Sequence, residues 1–442
     1  MGLITRFFSS ILSKRERSGL HIELGKYIEK TIIHTDESKW KKAQELYVQG
    51  DYINSYYYLL DFLRNPYLDN ILIDKNEYVL NFELYQGSKK VYGKITDKEI
   101  IVFSDVVGYQ NSIYPELLEI LLQENYRFKY SKFVLTDDTI RITFGAPVSL
   151  VPPNILYEAL KELSITVDNY DDVLLEKYKN LKAINMQHIL QLPEKEVQVK
   201  IKFFRLWLKQ AISMSEKLGR DANQKEINKG IISYILLATI YKIFYLLAPE
   251  GVLLDYIRKL DNFYWNRELD EVSKNEYLIS SFLDLLSWNN QMISKSLYKV
   301  IATFSIVKYV DNYELVDFIS TELETAKQYL KQGFSEFFHF IVEYIIGYIS
   351  FHIAIKHQYK EILDVLWRVY NDNFFTELGF SVRYINRHKL NSFVIEYHLN
   401  KVLYKYKLRN RFKINRLEYS TLEDFSKTFL TEFVNMLSYE QK

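Results

Sequence analysis

The sequence predicts an α+β protein in which an N-terminal helical hairpin and an antiparallel sheet with packed helices precede an all-α solenoid-like or bundle domain. Apolar and polar residues alternate within residues 78–103 and 128–144, with the two-residue period of half-buried strands. After residue 195 the alternation stops, and apolar residues recur at helical spacing. Only 14 glycines and 7 prolines occur among 442 residues, which favours long helices over irregular loops.

Length and composition bound the number of domains and the classes of function. A chain of 442 residues holds two or three domains, and we expect an amphipathic segment at 1–36, the α+β domain at 37–185 and the all-α domain at 195–440. The net charge of +1 gives no global argument for nucleic-acid binding. The absence of cysteine excludes disulfides, thiolate catalysis and cysteine metal sites, and it is compatible with the cytoplasmic location that we expect.

The N-terminal segment combines a short apolar stripe with basic residues. Leu3, Phe7 and Ile11 recur at helical spacing beside Arg6 and Arg15. The stripe is too short and too charged to span a bilayer, and it lacks the small-residue cleavage site of a signal peptide. We interpret it as a packed or frayed helix, with membrane-peripheral attachment or contact with a partner helix as the alternative.

Residues 38–64 predict two short antiparallel helices. Gly50-Asp51 separates two apolar stripes, which consist of Trp40, Ala43, Leu46 and Tyr47, and of Tyr52, Tyr56, Leu59, Leu60 and Leu63. This pattern resembles one tetratricopeptide-type unit. A single unit cannot bury its own apolar face, so we expect the hairpin to pack on the sheet.

The sheet is predicted as a three-stranded meander followed by a hairpin. We expect the meander strands at 78–85, 91–95 and 100–103, and the hairpin strands at 128–135 and 139–144. A helix from Ser112 or Pro115 to about Glu124 separates the two, and Pro152-Pro153 opens a second helix that ends near Tyr178. In the first of these helices we expect a broad buried stripe of Leu117, Leu118, Ile120, Leu121 and Leu122.

Four short stretches occupy characteristic places in this order of elements. They are Gly87-Ser88-Lys89 in the first turn, 121–125 at the end of the middle helix, 133–142 in the hairpin, and 159–163 with Val167-Asp168 in the last helix. With them, about residues 40–180 resemble the type III secretion chaperone-like fold, including its YbjN-type relatives. The resemblance implies a non-enzymatic protein-binding domain that often dimerises through its sheet or last helix. This chain differs from the secretion chaperones, which are small and acidic, in being long and nearly neutral.

The part of the chain after residue 195 predicts consecutive helices joined by short turns, without a fixed repeat period. Two apolar runs, at 230–248 and 334–355, have about the length of a membrane span. Because Lys242 and Glu343 interrupt these runs, and a charge at the centre of a bilayer is costly, we predict central buried helices instead. The helices are expected at about 195–218, 224–248, 251–261, 273–287, 292–309, 312–331, 334–356, 358–371, 389–407 and 421–437.

Motifs that carry chemistry are few. Gly87 to Lys94 has neither the spacing nor the strand-to-helix context of a phosphate loop. His339 and Glu343 lie one helical turn apart, but they are more typical of core or surface positions than of a zinc site. We therefore predict no catalytic residue, no metal site and no cofactor, and we expect that the chain is not an enzyme. Turn and helix positions account for the aspartate clusters Asp137-Asp138 and Asp168, Asp171 and Asp172.

We predict that the chain binds another protein, as an adaptor or chaperone-like factor. A segment of the partner would lie against the exposed face or edge of the sheet, and the helical half would offer a second groove. The residues expected to contact the partner are Tyr85, Tyr92 and Phe103 on the sheet and Tyr109 beside it. This hypothesis fails if the face with Tyr92 and Phe103 is covered. The sequence leaves the identity of the partner and homodimer formation open.

A basic stripe gives the alternative function. Residues 383–416 contain ten lysines and arginines but a single acid, Glu396, with tyrosines between them. Such a stripe can follow a nucleic-acid backbone or an anionic membrane surface. The competing interpretation is a solvated helix face that is balanced by acids elsewhere, such as Glu361. The central residues of the stripe are Lys401, Lys405, Lys407, Arg409, Arg411 and Lys413.

Overall fold

The computed structural model describes residues 24–25, 37–65, 69–110, 113–185, 189–220, 225–305, 308–387 and 389–439. It confirms the predicted α+β class, with an eight-stranded antiparallel sheet in the N-terminal half and a helical C-terminal region. The amphipathic segment predicted at 1–36 lies outside the described residues, except for residues 24 and 25.

The elements of the first half alternate between helices and strands. In chain order they are α1 (Glu37–Val48), α2 (Tyr52–Leu63), β1 (Ile71–Lys75), β2 (Leu80–Gly87), β3 (Lys89–Ile95), β4 (Glu99–Tyr109), α3 (Pro115–Arg127), β5 (Lys132–Leu135), β6 (Thr139–Pro147), α4 (Pro153–Lys177) and β7 (Leu181–Lys182).

The second half is mainly helical, with short strand pairs between the helices. In chain order its elements are β8 (Leu190–Gln191), α5 (Glu194–Gly219), α6 (Lys225–Lys242), α7 (Gly251–Tyr264), α8 (Glu271–Ser287), α9 (Asn290–Ser294), β9 (Tyr298–Lys299), β10 (Ile301–Ala302), β11 (Lys308–Tyr309), α10 (Asn312–Lys331), α11 (Phe338–His352), β12 (Ile353–Ala354), α12 (His357–Tyr370), α13 (Asp372–Glu377), β13 (Ile385–Asn386), β14 (Lys389–Leu390), α14 (Ser392–Lys405) and α15 (Leu422–Tyr439).

The predicted helical hairpin is formed by α1 and α2. Gly50 adopts a φ of +81° in the turn, and the side chain of Asp51 then caps α2 by accepting the backbone N–H of Asn54. Tyr56 is fully buried, and its hydroxyl donates to the carbonyl of Val151 at 2.8 Å. This bond attaches the hairpin to the segment that opens α4, as expected for a unit that cannot bury its own apolar face.

The sheet has the strand order β1-β2-β3-β4-β6-β5, and β10 and β7 pair with the ends of β2 and β4. Its core face packs against α4, and the side chains on this face alternate with solvent-facing ones along each strand. The predicted meander and hairpin are present with bounds shifted by a few residues: the strand predicted at 128–135 is shortened to β5, whereas β3, β4 and β6 are longer than predicted. β1 lies outside the predicted strands, because five residues at a sheet edge are too few to establish an alternating pattern.

We expect Gly93→Ala to destabilise the protein by about 1–3 kcal/mol, the usual cost of overpacking a core. Gly93 is paired with Phe82 across β2 and β3, and the ring of Phe82 occupies the space that a Cβ at position 93 would need. Gly145→Ala is the matched control, because a Cβ there meets only the carbonyl oxygen of Ile100, at 3.6 Å. Thermal unfolding of the two variants measures the difference, and equal melting temperatures would contradict this packing.

Residues 292–309, predicted as one helix, instead add a strand to the sheet of the first half. Among the described residues of this region only the short helix α9 forms, and β10 then pairs antiparallel with β2. The side-chain oxygen of Gln86 accepts the backbone N–H groups of Thr303 and Phe304 at 3.1 and 2.9 Å. The helix prediction is wrong because distant partners determine the backbone here, and local spacing does not reveal them.

The two halves of the chain have separate hydrophobic cores that meet at this added segment. Phe304 belongs to the core of the first half, where its ring packs edge-to-face against Tyr157 at 5.7 Å. Nearby, the guanidinium of Arg258 in α7 donates to the side chain of Asn169 in α4 at 2.8 Å. The α+β unit therefore contains residues that precede the predicted domain boundary at 185–195 and residues that follow it.

The helical half is organised around α6 and α11, which pack against each other and are buried by the surrounding helices. Gly347 permits their close approach, because a Cβ at this position would lie 2.6 Å from the Cβ of Tyr241. Among the described residues one helical stretch, Ile227–Leu247, is long and apolar enough to cross a membrane, and 89% of its most apolar window is buried inside the protein. Both apolar runs thus occupy the buried positions that the sequence predicts.

Candidate functional site

The face of the sheet opposite α4 carries three of the four predicted contact residues. Tyr92 and Phe103 are paired across β3 and β4, and their rings stack with centroids 5.5 Å apart. Tyr85 lies on the same face, two residues beyond the position in β2 that pairs with Tyr92. All three side chains are half-buried, and α4, the helix that packs on the sheet, lies on the opposite face. We call Tyr85, Tyr92 and Phe103 the aromatic strip.

Ion pairs flank the aromatic strip on both sides. The guanidinium of Arg141 lies 4.1 Å from the ring centroid of Phe103, and its Nε donates to Asp105 at 2.6 Å. The ammonium of Lys90 lies 5.1 Å from the ring centroid of Tyr85 and 3.3 Å from the carboxylate of Glu83. Arg141 and Lys90 are therefore held against the rings of Phe103 and Tyr85. The surface of the aromatic strip is apolar, with charged groups beside it.

Tyr109 does not lie on this face. A β-bulge between Asp105 and Val107 shifts the register of β4 against β6, so that Tyr109 turns toward the covered side of the sheet. Its ring packs against the core of the first half, and its hydroxyl donates to the carbonyl of Thr136 in the β5–β6 turn. Tyr109 is thus separated from the aromatic strip.

The outer edge of β5 is occupied by a side chain of α3. The amide nitrogen of Asn125 donates to the carbonyl of Phe133 at 3.0 Å, and its amide oxygen accepts the backbone N–H of the same residue. Asn125 thereby takes the place of a neighbouring strand, which prevents another chain from pairing at this point. At the other edge of the sheet, β1 is the outermost strand.

The buried stripe predicted for α3 is narrower than expected. Leu117 and Leu121 are buried, whereas Leu122 is 69% exposed. Tyr126, one turn further along, is 95% exposed. The prediction for Leu122 is wrong because α3 contacts the rest of the domain along one narrow side only, and the apolar content of a helix does not give the width of its contact.

A cluster of buried charges lies where α4 meets the β2–β3 turn. The ammonium of Lys89 lies 3.3 Å from the carboxylate of Asp171, and both side chains are fully buried. The hydroxyl of Ser88 donates to Asp171, and the backbone N–H of Ser88 donates to Asp168 at 3.0 Å. Burial raises the pKa of Asp171, although the charge of Lys89 lowers it. The sequence explained these aspartates by helix position and did not reveal that they face a buried lysine.

The same cluster extends into the helical half through Asp172. The hydroxyl of Tyr298 donates to the carboxylate of Asp172 at 3.2 Å. Burial and the neighbouring Asp171 raise the pKa of Asp172 to about 7. These contacts join the last helix of the α+β unit to the segment that supplies β10.

Lys242 and Glu343, which interrupt the two apolar runs, form an ion pair at 2.6 Å between α6 and α11. The amide nitrogen of Asn371 donates to the same carboxylate at 3.0 Å. Glu343 is therefore bound by Lys242 and Asn371, and its charge also raises the pKa of His339 one turn away, against the lowering by burial. No group of three or more potential metal ligands occurs among the described residues.

The basic residues of the stripe are exposed except for Lys413, which is half-buried, and several are paired with acids. Lys405 lies 2.7 Å from Glu361, as the balanced interpretation expects. Beyond the central part of the stripe, Arg383 and Arg416 lie 2.8 and 3.3 Å from the buried acids Asp372 and Glu432. The guanidinium of Arg409 lies 5.0 Å from the ring centroid of Tyr404. Nucleic-acid or anionic-membrane binding by this stripe stays a prediction. Besides Lys405 and Arg409, the central part of the stripe contains Lys401, Lys407, Arg411 and Lys413.

We expect the contact between α12 and α14 to weaken in acid. Burial alone would raise the pKa of Glu361, but hydrogen bonds from His357, Lys405 and Tyr406 lower it to about 2 from the ordinary 4.5. A carboxyl group whose pKa is lower in the folded protein than in the unfolded chain stabilises the fold. This stabilisation is complete above the pKa of the unfolded chain, and it is lost as the pH falls through the pKa of the folded protein. Stability from Glu361 should therefore decline between about pH 4.5 and pH 2.

Glu361→Gln should remove this pH dependence and cost about 1–2 kcal/mol at neutral pH, a value reduced for partial solvation of the group. Urea unfolding of the variant and the wild type at pH 7 and pH 3 measures both effects. Glu276→Gln, which replaces an exposed acid of α8, is the control and should behave as the wild type does. Parallel pH profiles for Glu361→Gln and the wild type would contradict the assignment.

Comparison with known proteins identifies no family. No protein-family model and no curated protein matches this chain.

Proposed function

We propose that this chain is a non-enzymatic, cytoplasmic protein-binding factor, an adaptor or chaperone-like protein, which holds a partner segment on the open face of its sheet. The observation that carries this proposal is the aromatic strip. A sheet with one covered face ordinarily presents polar residues on the other, whereas this face presents stacked rings and the exposed aliphatic side chains of Leu72 and Ile101. The resemblance to the secretion-chaperone-like and YbjN-type fold supports the same class of function.

The ring faces and the edges of the sheet indicate how a partner would bind. Because Arg141 and Lys90 already have acidic partners, affinity on this face would come mainly from packing of apolar side chains on Tyr92 and Phe103. Asn125 blocks strand pairing at β5, so an added strand would pair with β1. The preferred partner is therefore an extended segment with apolar or aromatic side chains on alternate residues.

The test compares proteins captured from native lysate by the full chain and by a Tyr92→Thr/Phe103→Thr variant. Threonine suits a strand position, so the fold should be retained while the ring surface is removed. A specific partner should fall at least tenfold in quantitative mass spectrometry of the nuclease-treated captures. Leu122→Gln/Tyr126→Gln, which removes exposed apolar side chains from α3, is the matched control and should retain the partner.

Two outcomes would argue against this function. Capture of the same proteins in the same amounts by the Tyr92→Thr/Phe103→Thr variant, with an unchanged circular dichroism spectrum, would exclude the aromatic strip as the binding surface. Recovery of lipid, or of nucleic acid in parallel captures without nuclease, in place of protein, with loss in a Lys407→Glu/Arg409→Glu variant and at high salt, would favour the basic stripe.

A further inference from the structure

A cavity of about 810 Å³ opens in the helical half, away from the sheet. It lies along one side of α5 and is bounded by the N-terminal part of α11, by the corner between α12 and α13, and by the β13–β14 hairpin. Its volume is within the range of small-molecule sites, roughly 300–1,000 Å³. The polar groups that line it include Lys209, Lys242, His339, Glu343, Asn371 and Arg387.

The floor of the cavity contains a buried ammonium with donors to spare. The side chain of Lys242 is only 9% exposed, and its one charged partner among the described residues is Glu343, at 2.6 Å. The ammonium also lies 5.6 Å from the ring centroid of Trp207, which offers it no acceptor oxygen. A lysine has three N–H donors, and the carboxylate of Glu343 does not require all three. Lys242 can therefore donate to a further acceptor within the cavity.

The charges that line the cavity do not balance. Four side chains are cationic, namely Lys209, Lys242, Arg383 and Arg387, and two are acidic, Glu343 and Asp372. Burial lowers the pKa of His339, so its imidazole does not add to the positive charge at neutral pH.

The two acids are already engaged by the protein. Glu343 is bound by Lys242 and Asn371, and Asp372 accepts from Arg383 at 2.8 Å and from the backbone N–H of Tyr384 at 2.7 Å. An excess of two positive charges is left at the rim, where it is carried by Lys209 and Arg387.

Arg387 is placed at the rim by an unusual backbone conformation. Its φ is +47°, in the left-handed region that residues with a side chain rarely occupy. It directly follows β13, which pairs with β14 through Asn386 and Lys389. Such a conformation costs free energy and persists where the surrounding structure requires it, which is frequent at binding sites.

We propose that this cavity binds the phosphate monoester of a small, hydroxyl-bearing molecule. A phosphate monoester carries nearly two negative charges at neutral pH, which complements the excess charge of Lys209 and Arg387, and the guanidinium of Arg387 is suited to bidentate contact with its oxygens. The hydroxyl groups of the rest of the molecule would accept from Lys242 and donate to His339. This site is separate from the aromatic strip, so it does not depend on the proposed protein-binding function.

Isothermal titration calorimetry with three probes tests the proposal: glycerol 3-phosphate, glucose 6-phosphate and AMP. Each probe is compared with its neutral parent, glycerol, glucose or adenosine. At least one phosphate should bind with a dissociation constant below the millimolar range, and its parent should bind at least tenfold more weakly. Failure of all three phosphates to bind, or equal binding of the parent, would overturn the proposal.

Rim variants then locate the site without disturbing the buried ion pair. Lys209→Gln/Arg387→Gln should weaken binding at least tenfold, whereas Arg409→Gln, which removes an exposed arginine outside the cavity, should leave it unchanged. Trp207 lines the cavity, so binding should also change the tryptophan emission, and Trp207→Phe should abolish this change while calorimetry still detects the ligand. Retained affinity in the double variant would place the anion elsewhere. The double variant should keep its protein partner, which separates this test from that of the aromatic strip.

Discussion

Replacing Lys89 by methionine is expected to lower the free energy of unfolding by about 3–5 kcal/mol, because it leaves the carboxylate of Asp171 buried without its cation. Both side chains are inaccessible to solvent, and their charged atoms lie 3.3 Å apart. The same change removes a hydrogen bond of 2.6 Å from the ammonium to the carbonyl of Val106, within the β-bulge of β4. Urea unfolding followed by circular dichroism measures the loss.

Two further variants separate the buried charge from the loss of a lysine in general. Lys94→Met removes an exposed lysine from the same strand and should change stability by less than about 0.5 kcal/mol. Lys89→Met/Asp171→Leu removes both charges and should recover part of the loss, since apolar residues can replace a buried pair. A Lys89→Met protein as stable as Lys94→Met would contradict the buried ion pair.

The pH dependence of Lys89→Met gives an independent measurement. Burial raises the pKa of Asp171, and without Lys89 the largest offsetting interaction is lost, which leaves only hydrogen bonds from Ser88 and the backbone of Asp172. A carboxyl group with a raised folded-state pKa binds more protons in the folded protein, so stability falls as the pH rises above the unfolded value of about 4. The variant should therefore be closest to the wild type in stability near pH 4 and furthest from it at neutral pH.

The second large effect is expected from Trp367→Ala, at about 3–5 kcal/mol. Trp367 is fully buried in α12, where its ring stacks on Tyr245 with centroids 5.1 Å apart and an interplanar angle of 14°. Tyr245 belongs to the π-helical turn Ile243–Leu247 that directly follows α6, so the stacked pair connects α12 to the end of the central helix of this half. Removing the indole leaves a cavity that the surrounding helices cannot close fully, and chemical denaturation measures the cost.

Graded substitutions test whether packing is the cause. Trp367→Phe retains an aromatic ring and should lose less stability than Trp367→Ala. Tyr313→Ala removes an aromatic side chain of α10 that is 68% exposed, and it should cost less than about 0.5 kcal/mol. A small effect of Trp367→Ala, similar to that of Tyr313→Ala, would show that this position does not support the central helices.

Local signals in the sequence were sufficient to predict most helices and the central strands of the sheet. The helix predicted at 312–331 agrees with α10 at both ends, because Asp311 caps its start by accepting the backbone N–H of Glu314 and Gly333 follows its end with a φ of +90°. The alternation in 78–103 placed Tyr92 and Phe103 on one face, and the structure makes them neighbours. Both results depend on residues close together in the chain.

The parts of the site that the sequence did not predict depend on contacts between distant residues. One inserted residue in β4 reverses the side to which Tyr109 points, and alternation alone gives no sign of a bulge. Lys242 and Glu343 lie 101 positions apart in the printed sequence, and their pairing follows from the packing of α6 on α11. The one signal available for them was the presence of a lysine and a glutamate, of opposite charge, within two mainly apolar runs.

The pairing of β10 with β2 also affects the order in which the protein can fold during synthesis. The hydrogen-bond partners of Gln86 follow it by 217 and 218 residues. At about 5–20 residues per second, the ribosome adds this length in roughly 10–40 s. During that interval the end of β2 is available to other chains, and the amide of Gln86 is hydrated. To avoid association with other chains, the nascent sheet would therefore need either β10, which is synthesised later, or another molecule that binds the end of β2 until then.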